Sequence, residues 1–236
     1  MRKLAQRIKD FVFRTIHARR LKLEYKNQKF DSVNERPLEL AFTFRCLAEI
    51  YPKTVLDVGT GMTALPHLMR NCGFHVTATD NIRDYWSTGM FNHHFHIIDD
   101  DITDTNLTVK FDFITCISVL EHIHKYDAAV ESMSNLVSSG GYIALSFPYN
   151  EKKYEKNVYE LSDSCVDPKS FPFVTQAFSR EQIDTWASRF GLTILKQEYW
   201  QYFTGEYWAT GQPIVPPKLV TSEERHQITC ILFKAR

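Results

Sequence analysis

"VLDVGTGMTA", Val55–Ala64, is the stretch on which the fold turns. A short apolar run closes on the acid Asp57, and Gly59, Gly61 and the small Ala64 follow. Glycine admits the left-handed backbone of a tight turn and lets a ligand approach the main chain closely. As a bare pattern, Gly-x-Gly-x-x-Ala fits the dinucleotide fingerprint, so a nicotinamide cofactor is one reading of this turn. The residues beyond the glycines must decide which nucleotide it serves.

Working outward, "TVLDVG", "HVTATD", "FHIID", "FDFITCISVL" and "YIALSFPY" are short apolar runs. Helical patterns separate them, over Thr63 to Gly73, around Trp86, and from about Asp127 to Val137. Such alternation predicts parallel strands with crossover helices, hence a sheet covered on both faces. An earlier helix starts near Pro37, carries Leu38, Phe42, Leu47 and Ile50 inward, and stops at Tyr51-Pro52. Residues 149–177 are polar and aromatic without a clean period, and read as an insertion or lid. Ser179 and Gln182 form a capping box for a further helix that Gly191 closes. "LTILKQEYW" and "HQITCILFKAR" predict two more strands, with an aromatic, proline-containing segment between them from Gln201 to Arg225.

Composition bounds the rest. A chain of 236 residues, 44% hydrophobic and 24% charged, has the make-up of a globular protein with one sizeable core. Formal net charge is +0, so no overall field draws the molecule to nucleic acid. Charge is unevenly placed: residues 1–30 hold ten Lys/Arg against two acids, leaving 18 against 26 elsewhere. Within residues 1–34, Leu4, Ile8, Phe11, Val12 and Ile16 recur at helical spacing amid basic residues, a basic amphipathic helical extension. Its stripe either packs on the domain or meets an anionic lipid surface or a phosphorylated partner. Five scattered cysteines without a C-x-x-C pair argue against a disulfide framework and a cysteine zinc site. With neither a secretory signal nor a bilayer-spanning run, the expected location is cytoplasmic.

Ligands of open α/β sheets bind beyond the carboxyl ends of the strands. There stand Asp57 to Gly61 after the first strand, Asp80 and Asn81 after the second, Asp99 to Ile102 after the third, and Ser118 to His122 after the fourth. A carboxylate at Asp80 can accept both hydroxyls of a ribose. An acid beside Ile102 can pair an adenine amino group while the isoleucine walls its ring.

At these residues the chain resembles the class I S-adenosylmethionine-dependent methyltransferases. "VLDVGTG" looks like their first motif, "VTATD" their second-strand acid, "DDDI" their adenine-side acid, "FDFITCISVLEHI" their fourth strand and "GGYIALSFPY" their fifth. "SVLEHI" is similar to members that act on small molecules, quinone precursors and sugars among them. The resemblance covers about residues 35–148 well and 178–236 in outline. It implies an α/β, Rossmann-like, seven-stranded, mostly parallel sheet with the last strand antiparallel, and a domain over 35–236 with insertions at about 149–177 and 201–225. It also implies S-adenosyl-L-methionine as cofactor. Asp57 would order the loop, Gly59 and Gly61 would lie against the cofactor, Asp80 would take the ribose hydroxyls, and Asp101 with Ile102 would hold adenine. Thr60, Asn81 and Ser118 complete that expected set. Many members have a third glycine where this chain has Thr63, which can instead cap the next helix. A cofactor cationic at sulfur suits the acidic rim better than a pyrophosphate does, so the nicotinamide reading gives way.

Methyl transfer is an in-line displacement served mainly by alignment, but a hydroxyl acceptor must also lose a proton. His122 is the candidate base and His124 the second, with Glu121 either orienting His122 or contacting the acceptor. His93, His94 and His96 invite a metal reading, but they precede the third strand whereas His122 follows the fourth, at the opposite edge of a parallel sheet. No metal is expected. Acceptor-facing candidates are the N-terminal helix, Tyr149–Gln176, and the aromatic run with Trp200, Tyr202, Phe203, Tyr207 and Trp208, although that run suits a loop core packed on the sheet slightly better. The tetrapeptide D/N-P-P-Y/F of amino-methylating nucleic-acid enzymes is missing after the fourth strand, which favours a small-molecule acceptor, most simply a hydroxyl. An RNA- or protein-modifying methyltransferase and a non-catalytic nucleoside-binding protein are the alternatives.

Overall fold

The computed structural model describes residues 2–28, 34–86, 88–170 and 173–236. The chain forms two compact units, Met1–Asn34 and Glu35–Arg236. Among the described residues of the first stands one helix, α1 (Arg2–Lys26).

The second unit is built on one sheet of eight strands: β1 (Thr54–Val58), β2 (His75–Asp80), β3 (Ile98–Asp99), β4 (Phe111–Ile117), β5 (Val137–Pro148), β6 (Leu192–Phe203), β7 (Pro213–Val220) and β8 (Ile228–Ala235). Their order is β3-β2-β1-β4-β5-β8-β6-β7. The first five in that order run parallel, with Leu56 opposite Ile114 and Thr77. β8 pairs antiparallel with both β5 and β6, and β7 antiparallel with β6.

The sheet thus has eight strands where the sequence implies seven, the additional one lying in the segment 201–225. β7, "PIVPPKLV", carries three prolines. Proline has no N–H for a ladder and argues against a strand in sequence, but the outer edge of a sheet tolerates it. β3 is only Ile98–Asp99, shorter than the run "FHIID" implies. Ile98 is exposed there, at the opposite sheet edge, so little burial rewards a longer strand.

Helices α2 (Arg36–Ile50), α3 (Leu65–Asn71), α4 (Ile82–Tyr85), α5 (Tyr126–Leu136) and α6 (Arg180–Arg189) accompany the sheet. Alternating strand residues divide the core. Phe113, Ile117 and Ala144 pack with Phe42, Leu47 and Met69 of α2 and α3. Ile114, Cys116, Ile143 and Leu145 pack with Val130 and Met133 of α5 and Ile183 and Trp186 of α6. That is the period-2 signature of a sheet buried on both faces. The ends of α2 follow its sequence: proline stands in the first turn, and Tyr51, with φ 53°, returns its N–H to the Leu47 carbonyl. The capping box of α6 is formed, Ser179 N–H donating to Gln182 Oε1 at 2.9 Å. α3 differs from expectation: it begins after Ala64 with Pro66 in its first turn, and Thr63 does not cap it. The Thr63 hydroxyl instead donates to the Thr60 carbonyl at 2.8 Å and closes the glycine turn.

Candidate active site

The parallel strands deliver their C-terminal tips to one pocket of about 700 Å³. Gly59, Thr60 and Gly61 form one wall. Gly59 and Gly61 have φ of +71° and +55°, a region that L side chains avoid. Gly59 N–H and Thr60 N–H both donate to the Thr79 carbonyl, at 2.9 and 3.1 Å, which ties the turn to β2. Asp57 lies buried behind it, accepting Thr60 Oγ1–H and Thr115 Oγ1–H, each at 2.7 Å. Burial pushes its carboxyl up to about 6, while the two hydroxyl bonds pull the other way.

Asp80 is at the tip of β2. Its Oδ2 accepts Gly61 N–H at 2.7 Å and its Oδ1 accepts the Trp86 indole N–H at 3.0 Å. Burial raises its carboxyl above the usual range, with both hydrogen bonds opposing. Asn81 caps the short α4 through a 3.2 Å bond from Asp84 N–H. Beyond β3, each acid of the run has a distinct task. Asp99 accepts Ile82 N–H at 3.0 Å and pairs with Arg83, also at 3.0 Å. Asp100 and Asp101 both border the pocket. The buried Asp100 spends its carboxyl on the loop, one oxygen accepting Asn106 N–H at 2.9 Å and the other Thr105 Oγ1–H at 2.6 Å. Asp101 accepts Thr103 N–H at 2.9 Å through Oδ1, with buried Ile102 beside it.

The tip of β4 supplies Ser118, Val119 and His122 to the same pocket. His122 Nδ1 stands 2.7 Å from the Val174 carbonyl oxygen. A carbonyl only accepts, so Nδ1 carries the proton and the neutral ring keeps its lone pair on Nε2. Burial lowers the pKa of His122 below 6.5, which keeps the ring neutral at pH 7. Glu121 does not orient it: Oε1 is 3.9 Å from Nε2, and burial raises the Glu121 carboxyl well above its usual value. The orienting partner belongs to the segment 149–177, whose end is clamped to the same turn. Gln176 donates its N–H to the Glu121 carbonyl at 3.0 Å and its amide to the Ile123 carbonyl at 3.0 Å. His124 also lines the pocket and is exposed.

Several lining residues belong to no motif of the sequence. Arg36, in the first turn of α2, reaches the wall beside Gly59 and donates to Glu39 Oε2 at 3.1 Å and to the Ile117 carbonyl at 3.2 Å. The signal available for it is an acid on the buried face of a helix with an arginine three residues earlier. Tyr85, Trp86 and Phe173 make an aromatic side, with Tyr85 and Phe173 rings stacked at 6.1 Å and Phe173 5.7 Å from His122. The aromatic run at 200–208 is not in this pocket. Tyr202 and Phe203 are buried and pack on Trp208 at 5.3 and 5.0 Å, a loop core in place of an acceptor wall. His93, His94 and His96 are exposed in the loop before β3 and do not line the pocket that holds His122.

A parallel sheet with this strand order, a glycine turn after β1 and acids after β2 and β3 defines the class: it is the class I S-adenosylmethionine-dependent methyltransferase fold. More particularly, the chain belongs to the methyltransferase domain family, whose model matches residues 25–197. It is 31% identical over 121 residues to a ubiquinone biosynthesis O-methyltransferase of Glaesserella parasuis serovar 5 (strain SH0165), covering 47% of this chain and 51% of that one. A protein of the same description from Alkalilimnicola ehrlichii (strain ATCC BAA-1101 / DSM 17681 / MLHE-1) is 28% identical over 128 residues, covering 50% and 51%. The chain thus spans about half the length of the curated relatives it matches. Among solved structures, the 1,6-didemethyltoxoflavin-N1-methyltransferase of Burkholderia thailandensis superposes with a TM-score of 0.56 at 14% identity, covering 96% of this chain and 86% of that one. The magnesium protoporphyrin IX methyltransferase of Synechocystis PCC 6803 gives 0.54 at 14% identity, covering 98% and 100%. At that identity the two agree with the fold.

Proposed function

We propose that this protein binds S-adenosylmethionine in the 700 Å³ pocket and transfers its methyl group to a hydroxyl of a small planar acceptor. One observation carries the reading: the glycine turn, Asp80, Asp101 and His122 come from four separate strand tips and line a single pocket. The donor set suits that cofactor. Asp80 retains lone pairs for a ribose diol, Asp101 and Ile102 offer an acceptor and an apolar wall for adenine, and Gly59 and Gly61 leave the main chain open to close approach. Asn81, Thr60 and Ser118 fill the space between, Asp57 orders the turn from behind, and Arg36 places a cation beside it.

When bound, S-adenosylmethionine supplies an electrophilic methyl on a sulfonium. His122 would supply the base: with Nδ1–H held by the Val174 carbonyl, Nε2 keeps a lone pair that would take the proton of an acceptor hydroxyl during its methylation. Most of the acceleration falls to alignment, which is worth up to about 7–11 kcal/mol. The aromatic side supports a flat, phenol-like acceptor. A ring sandwiched between two others needs about 7 Å, twice a contact distance, whereas Tyr85 and Phe173 stand 6.1 Å apart. The acceptor therefore lies against this pair and not between its rings. The ubiquinone biosynthesis O-methyltransferases that the chain resembles also support oxygen as the methylated atom.

The test is calorimetric titration with S-adenosylhomocysteine, followed by assay of demethylated cofactor with and without a panel of phenols and catechols. Uptake of the nucleoside with acceptor-dependent turnover is expected. Tight NADH binding without nucleoside uptake overturns the cofactor reading. Nucleoside binding with no turnover on any acceptor leaves a binding protein in its place.

A further inference from the structure

Helix α1 forms a compact unit of its own, and its composition is the most biased in the chain. Residues 2–26 carry nine Lys/Arg and two acids, a net +7. The unit from residue 35 onward has the opposite balance, 18 basic against 25 acidic. The net charge that favours an anionic surface therefore lies in α1, while the larger unit is net negative.

From Leu4 to Ile16 the large apolar residues of this helix other than Phe13 are also arranged. At 100° per residue, Leu4, Ile8, Phe11, Val12 and Ile16 fall within an arc of about 140°. They extend over about 18 Å of helix. Leu4 is 65% exposed, Ile8 56%, Phe11 70% and Ile16 63%. Arg7 and Lys9 lie on either border of the arc, where long stems can run along an apolar layer and keep their charges in the headgroup region. Arg14 lies further round on the polar side. Among the described residues, no helix is long and apolar enough to cross a membrane.

We infer that α1 is an interfacial anchor that lies in the plane of an anionic bilayer surface, with Leu4, Ile8, Phe11, Val12 and Ile16 inserted and the basic residues on lipid headgroups. Two signals act together, as stable attachment requires: apolar insertion and charge. Each basic side chain near an anionic leaflet strengthens attachment by roughly fivefold. A polyanion such as RNA would use the charges but leave the apolar stripe in water, so the stripe favours lipid.

The test is flotation of the full chain with vesicles of 70% phosphatidylcholine and 30% phosphatidylserine, against phosphatidylcholine alone, at 0.1 M and 0.5 M salt. The expected result is recovery with the anionic vesicles only, at least tenfold weaker at high salt. I8D/F11D and R7E/K9E/R14E should each weaken recovery at least tenfold while leaving S-adenosylhomocysteine affinity and thermal unfolding unchanged. As a second measure, the indole emission of the Phe11→Trp variant should shift to the blue with anionic vesicles and stay fixed with neutral ones. Failure of the wild type to float, or an emission spectrum of Phe11→Trp indifferent to both vesicles, overturns the anchor. So does loss of binding in the charge variant alone with equal retention of I8D/F11D on poly(U), which would assign α1 to RNA.

Discussion

Replacing Gly59 with alanine probes the tightest contact in the site. A Cβ built on Gly59 would stand 2.4 and 2.5 Å from the two methyls of Val119, on a backbone with φ +71°. The left-handed conformation costs an L residue about 1–2 kcal/mol. Forcing a methyl into a packed wall adds about 1–3 kcal/mol. Gly59→Ala should therefore lose about 2–5 kcal/mol of stability. Gly61 separates the two contributions, because its φ is +55° but a Cβ there meets only the Trp86 ring, at an ordinary 3.5 Å. Gly61→Ala should lose only the backbone part, about 1–2 kcal/mol. Val119→Ala removes both methyls that clash, so in a double-mutant cycle with Gly59→Ala it should return about 1–3 kcal/mol. Urea denaturation followed by circular dichroism measures each of these proteins, provided the m-value is unchanged. Equal losses at positions 59 and 61 together with zero coupling to Val119 would refute the reasoning. Val119 also lines the pocket, so Gly59→Ala should weaken nucleoside binding and Val119→Ala should restore part of it.

Turnover should rise with pH as His122 Nε2 loses its proton. Since burial depresses this pKa, the midpoint should lie below 6.5 with a flat profile above neutrality, and a midpoint above 7 in kcat against pH would contradict the assignment. His122→Ala should cut kcat by roughly 10²–10⁴ without changing cofactor affinity, as single-turnover rates at saturating cofactor would report. Asp80→Asn should weaken S-adenosylhomocysteine binding by roughly tenfold or more, the worth of a hydrogen bond to a charged group, and calorimetry showing unaltered affinity removes the ribose role. Trp86 bonds the carboxylate assigned to the ribose, so the nucleoside should change tryptophan emission, and Trp86→Phe should abolish most of that change.

What sequence alone conveys here is local. The strand tips at Asp57–Gly61, Asp80, Asp101 and Ser118–His122 are legible because each follows an apolar run, and parallel topology sends all such ends to one edge. Contacts across long separations leave no comparable mark. Val174 holds His122 from 52 residues away, and Arg36 meets the Ile117 carbonyl from 81 residues away. Prolines conceal β7, because a rule about central strands says nothing of an edge. The aromatic run at 200–208 is ambiguous in sequence, because large rings suit a ligand wall and a loop core equally; the structure makes it the loop core, with Tyr202 and Phe203 packed on Trp208.

Glu39 illustrates what such a distant contact accomplishes. It is fully buried in α2, accepting Ser146 Oγ–H at 2.7 Å, the Ser118 hydroxyl, and Arg36 Nη1–H at 3.1 Å. Burial raises its carboxyl above the usual range even though Arg36 and both hydroxyls oppose the shift. A buried ion pair of this kind is weak evidence for stability, because desolvation offsets the attraction. Its effect here is positional. Ser118 sits at φ 51° and donates its N–H to the Ser146 carbonyl at 3.0 Å, so one carboxylate fixes the turn after β4, the end of β5 and the first turn of α2 together. An apolar side chain at position 39 could fill the same volume, yet it would remove the shared acceptor of two hydroxyls and the anchor that brings Arg36 beside Gly59. Glu39→Leu should therefore weaken S-adenosylhomocysteine binding more than it lowers stability, because the displaced groups, Arg36 and Ser118, border the pocket whereas the core volume stays filled; calorimetry beside urea denaturation measures both, and an unchanged affinity with a large loss of stability would assign Glu39 to packing.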